Sequence, residues 1–236
     1  GSVSGSALTT QPVVTAQDAA GNVDVDFTET VTLTEASGGT LTNATQAAVS
    51  GVATFTTVTY SASADGEAFT LTANDEDGTG TDLSTGDANA VTSDVVATKL
   101  AFTTEPAGSV SGTALTTQPV VAAQDAQGVT DTAFTETVTI SEASNGSLTN
   151  STQVAVAGVA TFSGTTYTAT ADQESFTLTA NDEDGVDTNL TTATSASVTS
   201  DVVATKLVFT TEPAPLAADS GATLDFSTDP VVEAQD

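Results

Sequence analysis

Residues 93–106 have the sequence SDVVATKLAFTTEP, and the same stretch returns at residues 200–213 with a single change. Both lysines of the chain, Lys99 and Lys206, lie in this stretch, and there is no arginine. It is built of β-branched and apolar residues and contains no Gly-, Pro- or Ser-rich linker. The sequence therefore predicts a strand that passes directly into the next strand, which makes a stiff connection. We call residues 93–106 the joint segment.

The joint segment belongs to a long sequence repeat, whose period is the spacing from Gly1 to Gly108. A period near 100 residues indicates one domain per repeat, because solenoid repeats are much shorter. We predict domains at residues 1–97, 98–204 and 205–236, and we call these sequence segments copy 1, copy 2 and copy 3. The match holds without a gap through the aromatic pairs Phe27/Phe134, Phe55/Phe162, Tyr60/Tyr167 and Phe69/Phe176.

Copy 2 is complete, whereas copy 1 lacks its first strand and copy 3 holds only the first strands of a repeat. In copy 3 the match to Pro119 returns at Pro230, and this wider spacing corresponds to a four-residue insertion. Two explanations are open. The strands of copy 3 complete copy 1 of another subunit and build a filament, or the chain is a section of a longer tandem array. The first explanation has to account for two strands at the end where copy 1 lacks one.

The pattern within copy 2 predicts an all-β protein. Apolar residues alternate with Thr in segments such as Phe176–Ala180, and Asn145-Gly146 is a strong turn pair. About seven or eight short strands follow at roughly 10-residue spacing, and no stretch has a helical period. Hydrophobic residues make up 38% of the chain and aromatic residues 5%, and small β-branched side chains suit a thin β-sandwich.

The charge excludes several kinds of partner. There are 31 acidic and 2 basic residues, a formal net charge of -29. Nucleic acid and anionic membrane surfaces both require a cationic footprint that this chain lacks. No apolar run approaches the ~18 residues of a membrane span, so no membrane insertion is predicted for this segment. The acidity predicts surroundings that supply salt or divalent cations, or it serves solubility alone.

Two acidic turns are candidate calcium sites, one at residues 74–78 (NDEDG) with an aspartate beyond, and one at residues 181–187. Alternate carboxylates on a tight turn can converge on Ca²⁺, which takes six to eight oxygens, but the EF-hand spacing is incomplete. Aspartates of another loop, such as Asp125 and Asp131, could complete such a site. The other interpretation is a solvated turn, where Asp, Asn and Gly are favoured by the backbone. The candidate ligands are Asp75, Asp77, Asp82, Asp182, Asp184 and Asp187.

The lysines and the missing residue types limit the chemistry. Lys99 and Lys206 lie at domain edges, which favours a salt bridge between neighbouring domains over an isopeptide bond to a buried lysine. The chain has no histidine and no cysteine, and its acid pairs lie on predicted turns. These features predict that the protein is not an enzyme, although a glycosidase-like carboxylate pair stays open.

Several stretches resemble the Ig-like repeats of bacterial surface proteins. They are KLVFTTEP (206–213), AQDAQG (123–128), FTETVTI (134–140), GVATFSG (158–164) and YTATA with FTLTA (167–180). Such repeats occur in invasin-like adhesins, large cell-surface proteins and surface-layer or filament proteins. The resemblance covers nearly the whole chain, apart from the insertion in copy 3, and implies tandem Ig-like β-sandwich domains in a rod. It implies no catalytic residues.

The leading hypothesis is therefore an extracellular structural protein that builds a filament, stalk or coat at the cell surface. Its partners are copies of itself or flanking repeats of the same chain. The alternative is an adhesin fragment that binds a host or carbohydrate ligand. Ten of the eleven aromatic residues fall in repeat-equivalent pairs, as core residues do, which favours a stalk.

Overall fold

The computed structural model of the chain describes residues 1–75, 82–182, 189–215 and 226–235. All the regular elements in these ranges are β-strands, which confirms the all-β prediction and is consistent with a β-sandwich. None of the described residues forms a helix long and apolar enough to cross a membrane.

Copy 1 contains twelve short strands that form small sheets. The sheets have the strand orders β1-β12-β9, β11-β10-β4-β6, β2-β8-β5 and β3-β7. The strands are β1 Ser2–Val3, β2 Ser6–Ala7, β3 Val13–Thr15, β4 Thr30–Thr34, β5 Thr40–Thr42, β6 Thr45–Ala47, β7 Val52–Thr54, β8 Thr59–Ser61, β9 Glu67–Phe69, β10 Thr72–Asn74, β11 Gly86–Asp87 and β12 Val91–Asp94.

Copy 2 has a counterpart of each of these strands one repeat later, and one additional strand, β13. Its sheets are β13-β16-β20, β14-β25-β22, β15-β21-β18 and β19-β17-β23-β24. The strands are β13 Lys99–Thr104, β14 Ser109–Val110, β15 Thr113–Ala114, β16 Val120–Gln124, β17 Thr137–Ser141, β18 Ser147–Thr149, β19 Thr152–Val154, β20 Val159–Thr161, β21 Thr166–Thr168, β22 Glu174–Phe176, β23 Thr179–Asn181, β24 Ala193–Thr194 and β25 Val198–Asp201.

In copy 3 the long strand β26 pairs antiparallel with β29, as β13 pairs with β16 in copy 2. Leu207 and Phe209 of β26 are exposed, because no described strand of copy 3 covers them. The strands are β26 Lys206–Thr211, β27 Ala214–Pro215, β28 Phe226–Thr228 and β29 Val231–Gln235.

The strands are shorter and more numerous than the alternation predicts. The segment Phe176–Ala180 is an example, because it divides between two sheets. Its first part, in β22, pairs with β25, and its last part, in β23, pairs with β17. Between them the amide of Leu178 donates to Ser195 Oγ at 2.9 Å instead of to a neighbouring strand. Alternation of side chains persists through such a change of sheet, so it does not reveal the break.

Copies 1 and 2 each have their own core of buried apolar side chains. A stacked aromatic pair lies in each core, with ring centroids 3.8 Å apart for Tyr60–Phe69 and for Tyr167–Phe176. Burial raises the pKa of Tyr60, so its hydroxyl stays protonated and forms a 2.6 Å hydrogen bond with Ser37 Oγ. Ser37 Oγ in turn donates to the Glu35 carboxylate. This network holds the turn that precedes β5 against the core.

Gly39 and Gly146 lie where the buried tyrosine reaches the surface. A Cβ on Gly39 would lie 2.4 Å from Tyr60 Oη, and a Cβ on Gly146 would lie 2.3 Å from Tyr167 Oη. Asn145-Gly146 lies in the predicted turn, between β17 and β18, but neither residue has a positive φ, so the pair does not form a type I′ turn. The glycine is required by the close approach of a tyrosine.

We expect Gly39→Ala to destabilise the protein by about 1–3 kcal/mol, because the new methyl group forces the buried tyrosine out of its stacked position. Urea denaturation followed by tyrosine fluorescence measures this change. Gly86→Ala is the matched control, since a Cβ there meets nothing within 4 Å. An equal loss of stability in both variants would contradict the assigned role of Gly39.

Candidate functional site: the joint between copy 1 and copy 2

The joint segment connects two cores within a few residues. Strand β12 ends at Asp94 and β13 begins at Lys99. Between them Val95 is 1% exposed and belongs to the core of copy 1, while Leu100 is 3% exposed and belongs to the core of copy 2. The backbone therefore cannot rotate in this connection without withdrawing one of these side chains from its core.

Asp65 links three parts of the joint. Its Oδ1 accepts a hydrogen bond from the amide of Val95 at 2.8 Å. Its Oδ2 accepts hydrogen bonds from the amide of Thr132, at 3.1 Å, and from the hydroxyl of Thr132. A single carboxylate of copy 1 thus binds both the joint segment and a loop of copy 2. Charged acceptors make the stronger class of hydrogen bond, and an ionised carboxylate can accept several at once.

Copy 2 holds the joint segment from the other side. The carboxylate of Asp131 accepts a hydrogen bond from the amide of Ala97 through Oδ2 at 2.9 Å, and from the amide of Ala133 through Oδ1 at 2.9 Å. Val95 and Ala97 are thus fixed by carboxylates that belong to different copies. This arrangement restrains the connection at two successive points of its backbone.

A second contact between the copies is buried. Ser4 Oγ accepts the amide of Ala62 at 3.1 Å and donates to Asp125 Oδ2 at 3.2 Å. The other oxygen of Asp125 closes its own loop by accepting the amides of Gln127 and Val129. The side chain of Val129 packs against the core of copy 1. Aspartates therefore fix the shape of the loop at residues 125–132 and also bind this loop to copy 1.

The electrostatics of Asp65 fit this role. Burial alone raises the pKa of its carboxyl, but the hydrogen bonds from Thr132 and Val95 outweigh burial. The net effect is a pKa below the ordinary value of 3.8, so the ionised form is the one that binds. Asp172 is the equivalent residue in copy 2, and its pKa is also lowered, chiefly by the amide of Val202.

Lys99 was predicted to form a salt bridge between neighbouring domains, but its described hydrogen bond is made within copy 2. Lys99 Nζ donates to the carbonyl oxygen of Ala126 at 3.2 Å, which lies in the same copy. Within the described ranges we find no ion pair between Lys99 and copy 1. Lys99 therefore holds the 125–132 loop in place, and the direct contacts between the copies are made by aspartates.

Three of the six candidate calcium ligands, Asp75, Asp82 and Asp182, lie within the described residues. Asp75 and Asp182 are buried, and each accepts a backbone amide across its turn, from Leu83 at 3.0 Å and from Leu190 at 3.1 Å. Asp82 is exposed. Asp77, Asp184 and Asp187 lie outside the described residues. The ranges that are described contain no group of three acidic residues placed to hold a metal, and the calcium site stays a prediction.

Ser4 and Asp65 are site residues that the sequence did not predict. Both recur in copy 2, as Ser111 and Asp172, and this recurrence was the available signal. Thr132, the partner of Asp65, gave no such signal, because copy 1 has Val25 at the equivalent position.

Asp125 and Asp131 were predicted only as additional calcium ligands. The structure instead places both of them in the joint, where they accept hydrogen bonds from Ser4 and from the amide of Ala97.

We expect Asp65→Asn to loosen the joint, because an amide cannot accept hydrogen bonds through both of its polar atoms. A loss of about 1–2 kcal/mol is expected for a partly exposed charged acceptor. Hydrogen exchange of the Val95 and Thr132 amides measures it and should become roughly tenfold faster. Asp172→Asn is the matched control, since it removes the same contact to Val202. If that control exposed the Thr132 amide equally, the assignment of Asp65 would be wrong.

The same carboxylate makes the joint sensitive to acid. Because the folded pKa of Asp65 is lowered, its contribution to stability is complete above the unfolded value near 3.8 and is lost as the pH falls through the folded pKa. We expect the difference in unfolding free energy between wild type and Asp65→Asn to be constant from about pH 7 to about 5 and to decrease as the pH falls below about 4. Urea titrations at each pH measure it, and a difference that grew with acid would contradict this sign.

No protein-family model and no characterised protein sequence matches this chain. Among solved structures, a glycosyl hydrolase family 2 member from Bacteroides cellulosilyticus matches with a TM-score of 0.36 and 12% identity, over 74% of this chain and 22% of the hydrolase. A β-glucuronidase from Parabacteroides merdae matches with a TM-score of 0.29 and 13% identity, over 73% of this chain and 21% of the enzyme. The chain thus spans about a fifth of these enzymes, and such scores define no common fold.

Proposed function

We propose that this chain is a structural protein of the cell surface, in which tandem Ig-like β-sandwich domains form a stiff stalk or filament. The observation that carries the proposal is the joint. Val95 and Leu100 anchor the connection in two cores, while Asp65 and Asp131 bind its backbone from opposite copies. A protein in which the copies moved independently would have no need of these contacts.

The repetition of the strands supports the same proposal. Every strand of copy 1 has a counterpart one repeat later, and two residues of copy 1 that face the joint, Ser4 and Asp65, recur as Ser111 and Asp172. Ser111 Oγ accepts the amide of Ala169, as Ser4 accepts that of Ala62, and Asp172 accepts the amide of Val202. The end of copy 2 thus carries the same serine and aspartate that the end of copy 1 uses to contact the next copy. The joint is a unit that can be repeated along an array.

The distribution of aromatic side chains favours a stalk over an adhesin tip. Phe55, Tyr60 and Phe69 are buried in copy 1, and their counterparts are buried in copy 2. Of the aromatic side chains that are described, Phe209 is the large exposed one, and it lies on a strand of the repeat. Recognition of a glycan or a host protein draws on exposed aromatic residues. A role in catalysis is not part of the proposal.

The proposed setting is extracellular. A net charge of -29 on 236 residues is best tolerated where salt or divalent cations screen it. With only 2 basic residues, the chain is poorly suited to contact nucleic acid or anionic lipid, and other copies of the repeat are the natural partners. Calcium at the two acidic turns would fit this setting and remains a proposal.

The proposal is tested by measuring the distance between the copies in solution. The chain has no cysteine, so Thr45→Cys and Thr152→Cys place two spin labels at equivalent exposed positions of β6 and β19. Pulsed EPR on labelled protein diluted with unlabelled protein reports distances within one chain only. We expect one narrow distribution that broadens in the Asp65→Asn background. A broad distribution in the wild-type background would refute a stiff stalk.

A further inference from the structure

The strand β19 lies at the edge of its sheet in copy 2. The sheet has the order β19-β17-β23-β24, so β17 pairs with one side of β19 and no described strand pairs with the other. The carbonyl oxygen of Ser151 accepts a hydrogen bond from β17, and the amide of Ala155 donates to the residue that precedes β17. Because the backbone groups of an antiparallel strand alternate in direction, those of Thr152 and Val154 point away from the sheet.

The same edge recurs in copy 1, where β6 is the last strand of the sheet β11-β10-β4-β6. In both copies a glutamine side chain covers an outward carbonyl oxygen. Gln153 Nε2 donates to the carbonyl oxygen of Val154 at 3.2 Å, and Gln46 Nε2 donates to that of Ala47 at 3.2 Å. An exposed side chain thus occupies the place that a neighbouring strand would take, and it can be displaced by one. The open edge is a property of the repeat itself.

The edge lies in a part of each copy that carries no charge. Residues 143–171 contain no charged side chain, and neither do the equivalent residues 36–64. The 31 acidic and 2 basic residues of the chain all lie outside these two segments. Proteins commonly protect an edge strand from pairing with charged side chains or proline, and β19 has neither. Two strongly acidic chains repel each other least where such uncharged edges meet.

Apolar side chains make β19 the stronger of the two edges. Val154 is 53% exposed and Val156 is 74% exposed. In copy 1 the position of Val154 is taken by the smaller Ala47. Pairing with a second strand would remove part of this apolar surface from water. A valine beside a threonine is also a favourable pair across two strands.

We propose that β19 pairs antiparallel with β19 of a second chain of this protein, so that two chains associate side by side. The partner is another chain of the same kind, because its β19 offers the same uncharged edge and the same exposed valines. The contact is isologous, since both chains use one surface related by a two-fold axis. The inference goes beyond the proposed stalk, and it does not depend on whether the joint is stiff.

The direction of the backbone groups fixes the register of this contact. A two-fold axis at Gln153 places Thr152 opposite Val154 of the second chain, and these two residues exchange both N–H···O hydrogen bonds. The symmetry forms the same pair of bonds a second time. Gln153 lies opposite Gln153 of the second chain, in a pair without backbone hydrogen bonds. The two glutamine amides, displaced from the Val154 carbonyl oxygens, can then bind each other.

The contact is short, because the chain leaves the edge at both ends of β19. Before it, Asn150 has a φ of 52°, and the preceding strand β18 belongs to another sheet. After it, Val156 pairs with Val159 in a tight hairpin. One pair of edges therefore associates weakly and requires salt that screens the charges of the two chains. The equivalent edge at β6 gives each chain a second site of the same kind, and multiple sites strengthen such association.

A single engineered cysteine tests the register, because the chain has none of its own. Residues opposite each other in a pair without backbone hydrogen bonds have Cα atoms about 4.5 Å apart, which a disulfide can span. We expect the full-length Gln153→Cys variant to form disulfide-linked dimers under mild oxidation in about 0.5 M salt. The matched control is Thr161→Cys, on the edge strand β20 of the neighbouring sheet, and it should form dimers at least about tenfold more slowly.

The outcomes of this experiment are distinct. Gln153 is half-buried and Thr161 is exposed, so random collisions favour the control. Faster dimer formation by Gln153→Cys therefore supports the proposed register. Equal rates, a faster control, or monomers in both variants would each overturn it, and the last result would mean that this edge is covered by another partner or by none. Circular dichroism confirms that the compared variants are folded.

A second pair of variants tests the contact without cysteine chemistry. Val154→Asp places a charge on the edge of β19, whereas Thr161→Asp adds the same charge at an exposed position of β20. In about 0.5 M salt, where repulsion between the acidic chains is screened, the sedimentation mass of wild type and of Thr161→Asp should rise with protein concentration. Val154→Asp should remain monomeric, because its carboxylates would face an uncharged strand at close range.

A wild-type mass that is independent of concentration, or equal association of Val154→Asp and Thr161→Asp, would overturn the contact between β19 strands. The stalk proposal would be unaffected, because the distance between spin labels is measured within a single chain. Conversely, a flexible joint together with efficient cross-linking through Gln153→Cys would refute the stiff stalk and leave the lateral contact standing.

Discussion

The structure depends on one constraint, which is that the short connection from Val95 to Leu100 must serve two hydrophobic cores. Val95 completes the core of copy 1 and Leu100 completes the core of copy 2, and only a few residues lie between them. A connection this short brings the ends of the two copies together, so their polar surfaces must be satisfied by each other. Asp65, Asp131 and the Ser4–Asp125 pair meet that requirement. The joint is therefore a consequence of core packing on both sides.

The acidic composition has a local explanation as well as a global one. Asp125 and Asp131 each use one oxygen to shape their own loop and the other to bind the joint. Asp75 and Asp182 are buried and close their own turns. Aspartate suits such positions because its short side chain can accept nearby backbone amides. Many of the aspartate side chains thus accept hydrogen bonds from the backbone. The repulsion between their negative charges destabilises the folded chain as a whole.

The sequence predicts the class of this fold better than its site. The strong alternation around Phe176 and Tyr167 and the absence of a helical period are local signals, and they lead to the observed all-β architecture. The repeat is equally visible without coordinates. The role of Asp65 could not be predicted, because it depends on Thr132, which is 67 residues away and breaks the repeat. The purpose of Gly146 was also hidden, since it is set by a tyrosine in a distant strand.

The way in which β13 is held has a mechanical consequence. In the proposed stalk, tension along the row of copies would enter copy 2 through the joint and would pull on β13 along its own axis. The hydrogen bonds between β13 and β16 lie across that direction, so they are sheared together and cannot be opened one after another. Detachment of the strand would also draw Leu100 through the core. A stalk built in this way would resist stretching far more strongly than its modest strand lengths suggest, and it would fail abruptly, one domain at a time.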